Sequence, residues 1–201
     1  HLDGMRQAYM GEIEYLDREL GKFFEGLKER GLYDDALIIL TADHGEEFQE
    51  HGGWWHGQTL YEEQTHIPFA VKLPGNLRGS EVNTSLARNL DIAPTLLQAA
   101  GLEKGAMMQG QSLFDSDWNP SNQTIDYSYA ENNFEGIVLQ SIRTGTHKLI
   151  RANADNPREL PVTSFFNVSE DPGEQTNLAG DEGVVATQTQ LDEAIEGYLT
   201  I

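Results

Sequence analysis

The sequence predicts an α/β fold that ends in a small antiparallel sheet and a terminal helix. Three observations predict it. An amphipathic helical pattern leads into an apolar, β-branched run at residues 36–41, and a second apolar run follows at residues 67–73. Beyond residue 122 the apolar runs are short and separated by turn residues, which is typical of antiparallel strands. We therefore expect an α/β core followed by a smaller unit.

The chain begins with the predicted helix. From Met5 to Arg30 the apolar residues recur every three or four positions, which predicts a helix with one buried face. Gly31 is expected to end this helix as its C′ residue. The run Ala36–Thr41 has the length and composition of a strand buried on both faces. The apolar run Ile67–Leu73 predicts another strand, which the following Pro74 and Gly75 are expected to end.

The later elements are shorter. Asp91 is expected to cap the start of a short helix that ends at Gly101. Residues 105–122 are rich in Gly, Ser, Asp and Asn, which indicates a loop or a boundary. Four short strands and a closing helix are expected beyond it, at residues 124–129, 136–144, 148–151, 164–168 and 183–199. We accordingly divide the chain into residues 1–115, an α/β core, and residues 116–201, a small α+β subdomain.

Composition excludes several partners and sites. The chain has 33 Asp and Glu residues against 13 Lys and Arg, a formal net charge of −20. Because nucleic acids and anionic membranes are bound through Lys and Arg, neither is an expected partner. The absence of cysteine excludes a disulfide framework and cysteine-ligated zinc. No apolar run reaches the roughly 18 residues that a membrane helix needs.

The densest chemistry lies on a glycine-rich loop between the two predicted strands. Asp43 and His44 come directly after the first strand, and His51 and His56 follow among three glycines. In open α/β sheets, ligands bind just beyond the carboxyl ends of the strands. A carboxylate and an imidazole placed there can coordinate a divalent cation. The alternative is that Asp43 caps the following turn and His44 is an ordinary hydrogen-bonded histidine.

Four strings carry a family resemblance over most of the chain. They are YMGEIEYLDRELGKFFEGLKERGLYDDALIILTADHG, EEFQEHGGWWHGQTLYEEQTHIPFAVKLPG, NLDIAPTLLQAAGL and FFNVSEDPGEQTNLAG. In residues, order and spacing they resemble the sulfatase family of the alkaline-phosphatase-like superfamily. The resemblance implies that the chain forms part of an alkaline-phosphatase-like sandwich. Family members begin with a strand carrying two aspartates and a C/S-x-P-x-R sequence, whose Cys or Ser becomes the formylglycine nucleophile. This sequence contains no such motif, so it resembles the C-terminal half alone.

The resemblance also implies roles for individual residues. Asp43 and His44 would supply two metal ligands, the others being the two early aspartates and the nucleophile. Calcium is the expected metal, with magnesium and manganese as alternatives. His56, which stands ahead of G-x-x-x-Y-E-E, would hold an oxygen of the sulfate or phosphate group and stabilise charge on the leaving group. His51 and His147 are further expected contacts to substrate.

The sequence thus predicts a fragment of a sulfatase whose complete form hydrolyses sulfate esters of small molecules or carbohydrates. Alone, the chain is expected to be inactive, because it lacks the nucleophile and two metal ligands. A phosphatase, phosphodiester hydrolase or phosphonate hydrolase of the same superfamily is one alternative, and a noncatalytic binding module is another. An exposed sheet edge is expected to bind the missing half or a second copy. Export to the periplasm or out of a bacterial cell is the expected location.

Overall fold

The computed structural model describes residues 2–121 and 125–199. The helices and strands, in chain order, are α1 (Leu2–Glu29), β1 (Ile38–Thr41), β2 (Glu47–Phe48), β3 (Trp54–Trp55), α2 (Glu62–Thr65), β4 (Phe69–Lys72), α3 (Ile92–Ala99), β5 (Ser128–Phe134), β6 (Ile137–Arg143), β7 (His147–Ala152), β8 (Thr163–Asn167) and α4 (Val185–Leu199). Among the described residues, no helix is both long and apolar enough to cross a membrane.

These elements form two compact units that alternate along the chain. The first unit contains α1, β1, β4 and α3, and the second contains the loop Ala42–Ile67, the strands β5 to β8 and α4. The fold belongs to the predicted α/β class with a small antiparallel sheet and a terminal helix. The division at residues 115 and 116 follows the chain rather than these units and remains a prediction.

Helix α1 confirms the predicted long helix and its end. Gly31 has φ +66°, its N–H donates to the Lys28 carbonyl at 2.9 Å, and the Leu32 N–H donates to the Leu27 carbonyl at 2.9 Å. These two bonds make a Schellman motif. The predicted buried face is wrong for the described residues, since α1 contains no buried residue. The spacing of apolar residues determines which face of a helix is apolar, whereas burial of that face requires another surface to pack against it.

Strands β1 and β4 confirm the two predicted strands with shorter bounds. They pair antiparallel, with Ile38 opposite Lys72 and Thr41 opposite Phe69. Neither strand contains a buried residue, and Leu40 is 41% exposed. The expectation that the first strand is buried on both faces is therefore wrong for the described chain. Both faces of a sheet are buried only when other elements pack against each of them.

Helix α3 confirms the predicted short helix, with Pro94 in its first turn and Gly101 at φ +69° beyond its end. The predicted cap is wrong. Asp91 precedes the helix in a helical backbone conformation, φ −85° and ψ −13°, and its side chain makes no capping bond. A side-chain cap needs an extended residue at this position. The buried Asp91 carboxylate instead accepts the N–H of Gln111 at 3.0 Å, which ties the helix start to the following loop.

The predicted small antiparallel sheet of four strands and the closing helix are confirmed, with three of the four strands at their predicted positions. β5, β6, β7 and β8 form one antiparallel sheet in that order. β5 lies further along the chain than the predicted residues 124–129, of which Thr124 lies outside the described residues. Helix α4 packs on this sheet through Leu191 and Ile195, which are 1% and 0% exposed. Their partners from the strands are Ile142, Leu149 and Phe165.

Candidate active site

The candidate site lies on the segment Ala42–Ile67, which we call the histidine loop. Asp43 is the second residue of this loop, and its side chain is 89% exposed. The Oδ1 atom of Asp43 accepts the N–H of His44 at 3.0 Å. That backbone N–H lowers the pKa of the Asp43 carboxyl, because it stabilises the ionised form. Asp43 is therefore an exposed carboxylate at neutral pH, and its second oxygen, Oδ2, lies 3.7 Å from Nε2 of His44, so that both atoms could bind one cation.

His44 is held in one orientation by the backbone. Its Nδ1 lies 2.8 Å from the carbonyl oxygen of Gly45. A carbonyl only accepts, so Nδ1 carries the proton and the Nε2 lone pair is left for a metal ion. Gly45 itself donates its N–H to the Gln64 carbonyl at 2.8 Å. A Cβ on Gly45 would lie 2.0 Å from the Glu63 carbonyl oxygen, so only glycine fits this close approach of two backbones.

His56 comes from the far side of the loop to join His44. The two rings stack with centroids 4.0 Å apart and an angle of 30° between their planes. The Nδ1 of His56 lies 3.2 Å from each carboxylate oxygen of Glu46, which indicates an N–H donated to that carboxylate. Asp43, His44 and His56 thus form one exposed group, in which Nδ1 of each imidazole faces a protein acceptor and Nε2 of His44 lies 3.7 Å from Oδ2 of Asp43.

A divalent metal fits this group only in part. Asp43 offers a carboxylate oxygen and His44 offers Nε2, which are ligands that calcium, manganese or zinc accept to different degrees. Across residues 2–121 and 125–199, no cluster of three or more His, Cys, Asp or Glu side chains has the arrangement of a metal site. The two residues can therefore supply part of a coordination shell, and the remaining ligands must come from elsewhere.

His51 lies in a different environment from His44 and His56. Its Nδ1 is 2.7 Å from Oε1 of Glu63, its Nε2 is 3.1 Å from the carbonyl oxygen of Glu174, and its ring stacks on Tyr61. Burial opposes the charged ring, but these two acceptors outweigh it and raise the pKa of His51. Both nitrogens therefore face acceptors of the protein, and its contact with substrate stays a prediction.

His147 begins β7 and belongs to the four-stranded sheet. Its Nδ1 lies 2.9 Å from Oγ1 of Thr146, and its ring stacks on Phe165 at 5.4 Å. The contacts that fix its ring thus come from the turn before β7 and from β8, not from the histidine loop. Its role in substrate binding also stays a prediction.

Sequence reasoning missed the buried charges that hold the loop. Glu47, in β2, is completely buried and faces Arg158, whose Nη1 lies 3.0 Å from Oε2. The partner stands 111 positions further along the chain, so no local spacing predicts the pair.

A second buried group surrounds Lys148. The ammonium, 1% exposed, lies 3.0 Å from Oε1 of Glu62 and 3.2 Å from Oε1 of Glu174, and Arg143 lies 3.1 Å from Glu62. Burial opposes ionisation of Glu62, yet Lys148 and Arg143 outweigh it and lower the pKa of Glu62. Burial dominates at Glu174 and raises its pKa. This group joins α2 of the loop to β6, β7 and the segment after β8.

Comparison with solved structures shows to which fold the chain belongs. BT4656, solved in complex with its substrate D-glucosamine-2-N,6-O-disulfate, superposes with a TM-score of 0.81 at 24% identity, over 94% of this chain and 39% of that chain. This likeness shows the fold, which is the predicted alkaline-phosphatase-like one.

The family follows from sequence models. The model described as N-sulphoglucosamine sulphohydrolase, C-terminal, matches residues 49–199, and the chain belongs to this family. The model of type I phosphodiesterase and nucleotide pyrophosphatase matches residues 3–88. The sulfatase resemblance of the sequence is thereby confirmed.

Two curated proteins are similar in sequence to nearly the whole of this chain. N-acetylglucosamine-6-O-sulfatase of Bacteroides thetaiotaomicron is 28% identical over 94% of this chain and 34% of the relative. The multifunctional alkaline phosphatase superfamily protein PehA of Trinickia caryophylli is 30% identical over 90% of this chain and 38% of the relative. The chain spans about a third of the length of these relatives.

Proposed function

We propose that this chain is the C-terminal part of a metal-dependent sulfatase, a hydrolase of sulfate esters. The observation that carries the proposal is the exposed group of Asp43, His44 and His56, in a chain whose residues 49–199 match a C-terminal sulphohydrolase model. N-acetylglucosamine-6-O-sulfatase, to which the chain is similar over nearly its whole length, supports the same activity.

Asp43 and His44 are the proposed metal ligands of this chain. Calcium, which the sulfatase resemblance implies, is our first choice of metal, with magnesium and manganese as alternatives; the nitrogen of His44 is a donor that manganese accepts more readily than calcium does. A divalent cation would polarise an oxygen of the ester as a Lewis acid. The other ligands and a formylglycine nucleophile are proposed to belong to a preceding part of the protein, in which case the 201 residues alone are inactive.

His56 is the proposed catalytic residue. Its Nδ1–H is donated to Glu46, which fixes the ring, so the Nε2 side is the one that can carry a proton to an ester oxygen. A protonated His56 would give that proton to the departing alkoxide oxygen as the S–O bond breaks. His51 and His147 are proposed contacts to more distant parts of the substrate, and His51 would have to exchange one of its present acceptors for this.

A sulfated small molecule or carbohydrate is the proposed substrate. The structurally similar BT4656 binds a disulfated glucosamine as its substrate, which supports a sugar. A periplasmic or extracellular location would suit such a substrate. The apolar side chains exposed on α1, among them Ile13, Leu16 and Phe23, support a longer protein in which a preceding part covers this helix.

Phosphoryl transfer is the second candidate. It is favoured by the match of residues 3–88, which include Asp43, His44 and His56, to the phosphodiesterase and nucleotide pyrophosphatase model. A sulfate ester and a phosphate ester present similar tetrahedral groups, so the same three side chains suit both.

The test begins with the coding sequence upstream of residue 1. An in-frame segment with two aspartates and C/S-x-P-x-R supports the sulfatase, whereas a Thr or a Ser outside that motif supports phosphoryl transfer. The complete protein is then assayed with 4-nitrophenyl sulfate and bis(4-nitrophenyl) phosphate, as wild type and as His56→Ala. Preferential sulfate-ester hydrolysis that falls in the variant supports the proposal, and turnover of sulfate esters by the 201-residue chain alone would contradict it.

A further inference from the structure

The histidine loop is held in the second unit chiefly by polar contacts. Seven of its residues are buried, and four of these are polar: Glu47, Thr59, Glu62 and Gln64. A buried carboxylate is stable only when it is paired and hydrogen-bonded, so each such group needs a partner from another part of the fold. The position of the loop therefore depends on where those partners lie.

Glu47 holds both sides of His56 at once. Its Oε1 accepts the Gly53 N–H at 2.6 Å, and β2 pairs Glu47 directly with Trp55, the residue before His56. On the other side of His56, the Gly57 N–H donates at 3.0 Å to Oε1 of Gln64, whose Nε2 lies 3.4 Å from the Glu47 carboxylate. The Glu46 carboxylate that receives the His56 ring is the chain neighbour of Glu47.

Arg158 supplies the charge that makes this arrangement stable. It stands between β7 and β8, its side chain is 14% exposed, and its Nη1 and Nη2 lie 3.0 Å and 3.4 Å from the two oxygens of Glu47. Nη2 also donates to the carbonyl oxygen of His51 at 3.2 Å. One guanidinium thus binds a side chain and the backbone of the same loop.

Gly53 leaves the space in which Arg158 lies. A Cβ on Gly53 would be 2.2 Å from Nη1 and 2.4 Å from Nη2, closer than non-bonded atoms can approach. The φ of Gly53 is not in the left-handed region, so the backbone would accept alanine. The glycine is needed for the guanidinium rather than for a turn.

We propose that Arg158 and Glu47 are positioning residues that set the place of His56 in the active site. They act through the β2–β3 hairpin and through Gln64, and their hydrogen bonds among the described residues go neither to the metal ligands nor to His56 itself. The proposal rests on the proposed function only for what His56 does. Its structural part, that Arg158 orders the histidine loop, is independent of the reaction.

The test compares variants of the protein by amide hydrogen exchange and mass spectrometry. Arg158→Met leaves Glu47 buried without its cation, and we expect exchange in residues 45–66 to rise by at least about tenfold while β6 and β7 keep wild-type rates. Arg158→Lys retains the charge without the fork, so partial rescue is expected. Arg151→Met is the matched control, because it also removes one positive charge. The ion pairs of Arg151 in β7 are with Asp192 and Glu196 of α4, not with the histidine loop.

A second variant keeps the test decisive if Arg158→Met does not fold. Gly53→Ala displaces the guanidinium with one methyl group, and the same rise in exchange, confined to the loop, is expected. Unchanged loop exchange in Gly53→Ala, or an equal rise in the loop and in β6 and β7, would overturn the proposal. In the complete enzyme, Arg158→Lys is expected to lower kcat more than it raises KM. If loop exchange rises in the variants but the wild-type protein has no sulfatase activity, the proposed reaction is rejected. The role of Arg158 in ordering the histidine loop then still stands.

Discussion

The ammonium of Lys148 lies 3.0 Å from a carboxylate oxygen of Glu62, in a part of the second unit where Lys148 is only 1% exposed. Glu174 shares the same ammonium from 3.2 Å, and Arg143 adds a second positive charge beside Glu62. Two buried carboxylates are thus balanced by two cations. A group balanced in this way tolerates the loss of any one charge poorly, because the others cannot be solvated in its place.

Replacing Lys148 with methionine is expected to lower the free energy of unfolding by about 3–5 kcal/mol, since Glu62 and Glu174 lose the cation they share. Lys22→Met is the control, because Lys22 pairs with Glu19 on the exposed surface of α1. We expect that change to stay within about 0.5 kcal/mol. Urea unfolding measures both, and a Lys148→Met variant within about 1 kcal/mol of wild type would show that the buried group does not depend on this charge.

The raised pKa of His51 makes part of the stability depend on pH. A histidine with a folded-state pKa above its unfolded value of 6.5 contributes stability that is fully present below pH 6.5 and is lost as the pH rises through the folded-state pKa. The difference in unfolding free energy between wild type and His51→Gln is therefore expected to be larger at about pH 6 than at about pH 9. Chemical denaturation at both pH values measures it.

The companion variant for this prediction is Glu63→Gln. It removes the carboxylate 2.7 Å from Nδ1 of His51 while Arg158 and Glu174 stay in place. We expect the pH dependence of the His51→Gln effect to shrink in the Glu63→Gln background. A His51→Gln effect that is the same at both pH values would mean that the ring is not charged in the folded protein.

The sequence predicted the local elements well because their causes are local. The apolar period and Gly31 were sufficient to locate α1 and its end, and short apolar runs located β6, β7 and β8, whereas β5 lies further along the chain than its predicted run. Burial of α1 and β1 was not predictable, because it depends on surfaces that the pattern of one segment does not describe. The capping role of Asp91 failed for a related reason, since a contact with Gln111 competes with the helix.

The candidate site was predicted where its residues are close in sequence. Asp43, His44 and His56 stand on one loop, and glycines allow the loop to bring His56 back onto His44. The ion pairs of Arg158 and Lys148 escaped detection because each cation reaches its loop partner from another strand region, 111 and 86 positions away. Without contacts between distant segments, a buried Glu in a loop cannot be told from an exposed one.

Removal of either proposed ligand is expected to weaken metal binding. In the complete protein, Asp43→Asn and His44→Ala should each lower the affinity for Ca²⁺ or Mn²⁺ by at least about tenfold, because each removes one donor. His147→Gln is the control, since its ring contacts Thr146 and Phe165 instead. Isothermal titration calorimetry measures the affinity, and wild-type affinity in Asp43→Asn would exclude that carboxylate as a ligand.

Gly45→Ala tests whether the site depends on the close approach of two backbone segments. The added Cβ would lie 2.0 Å from the carbonyl oxygen of Glu63 and 3.0 Å from its carbon, so the chain at Gly45 must move away from α2. This also strains the hydrogen bond from the Gly45 N–H to Gln64. We expect a loss of about 1–3 kcal/mol in stability, as for other overpacked positions.

Gly21→Ala is the matched substitution, because apart from its chain neighbours and the adjacent backbone of α1 no atom lies within 4 Å of its Cβ position. It is expected to raise stability by about 0.5–1 kcal/mol. Because Gly45 follows His44 directly, the Gly45→Ala variant should also weaken metal binding, whereas Gly21→Ala should not. Thermal unfolding and metal titration of both proteins distinguish these effects. If Gly45→Ala unfolds and binds metal as the wild type does, the loop can yield at this point and its backbone contact with Glu63 does not set the position of His44.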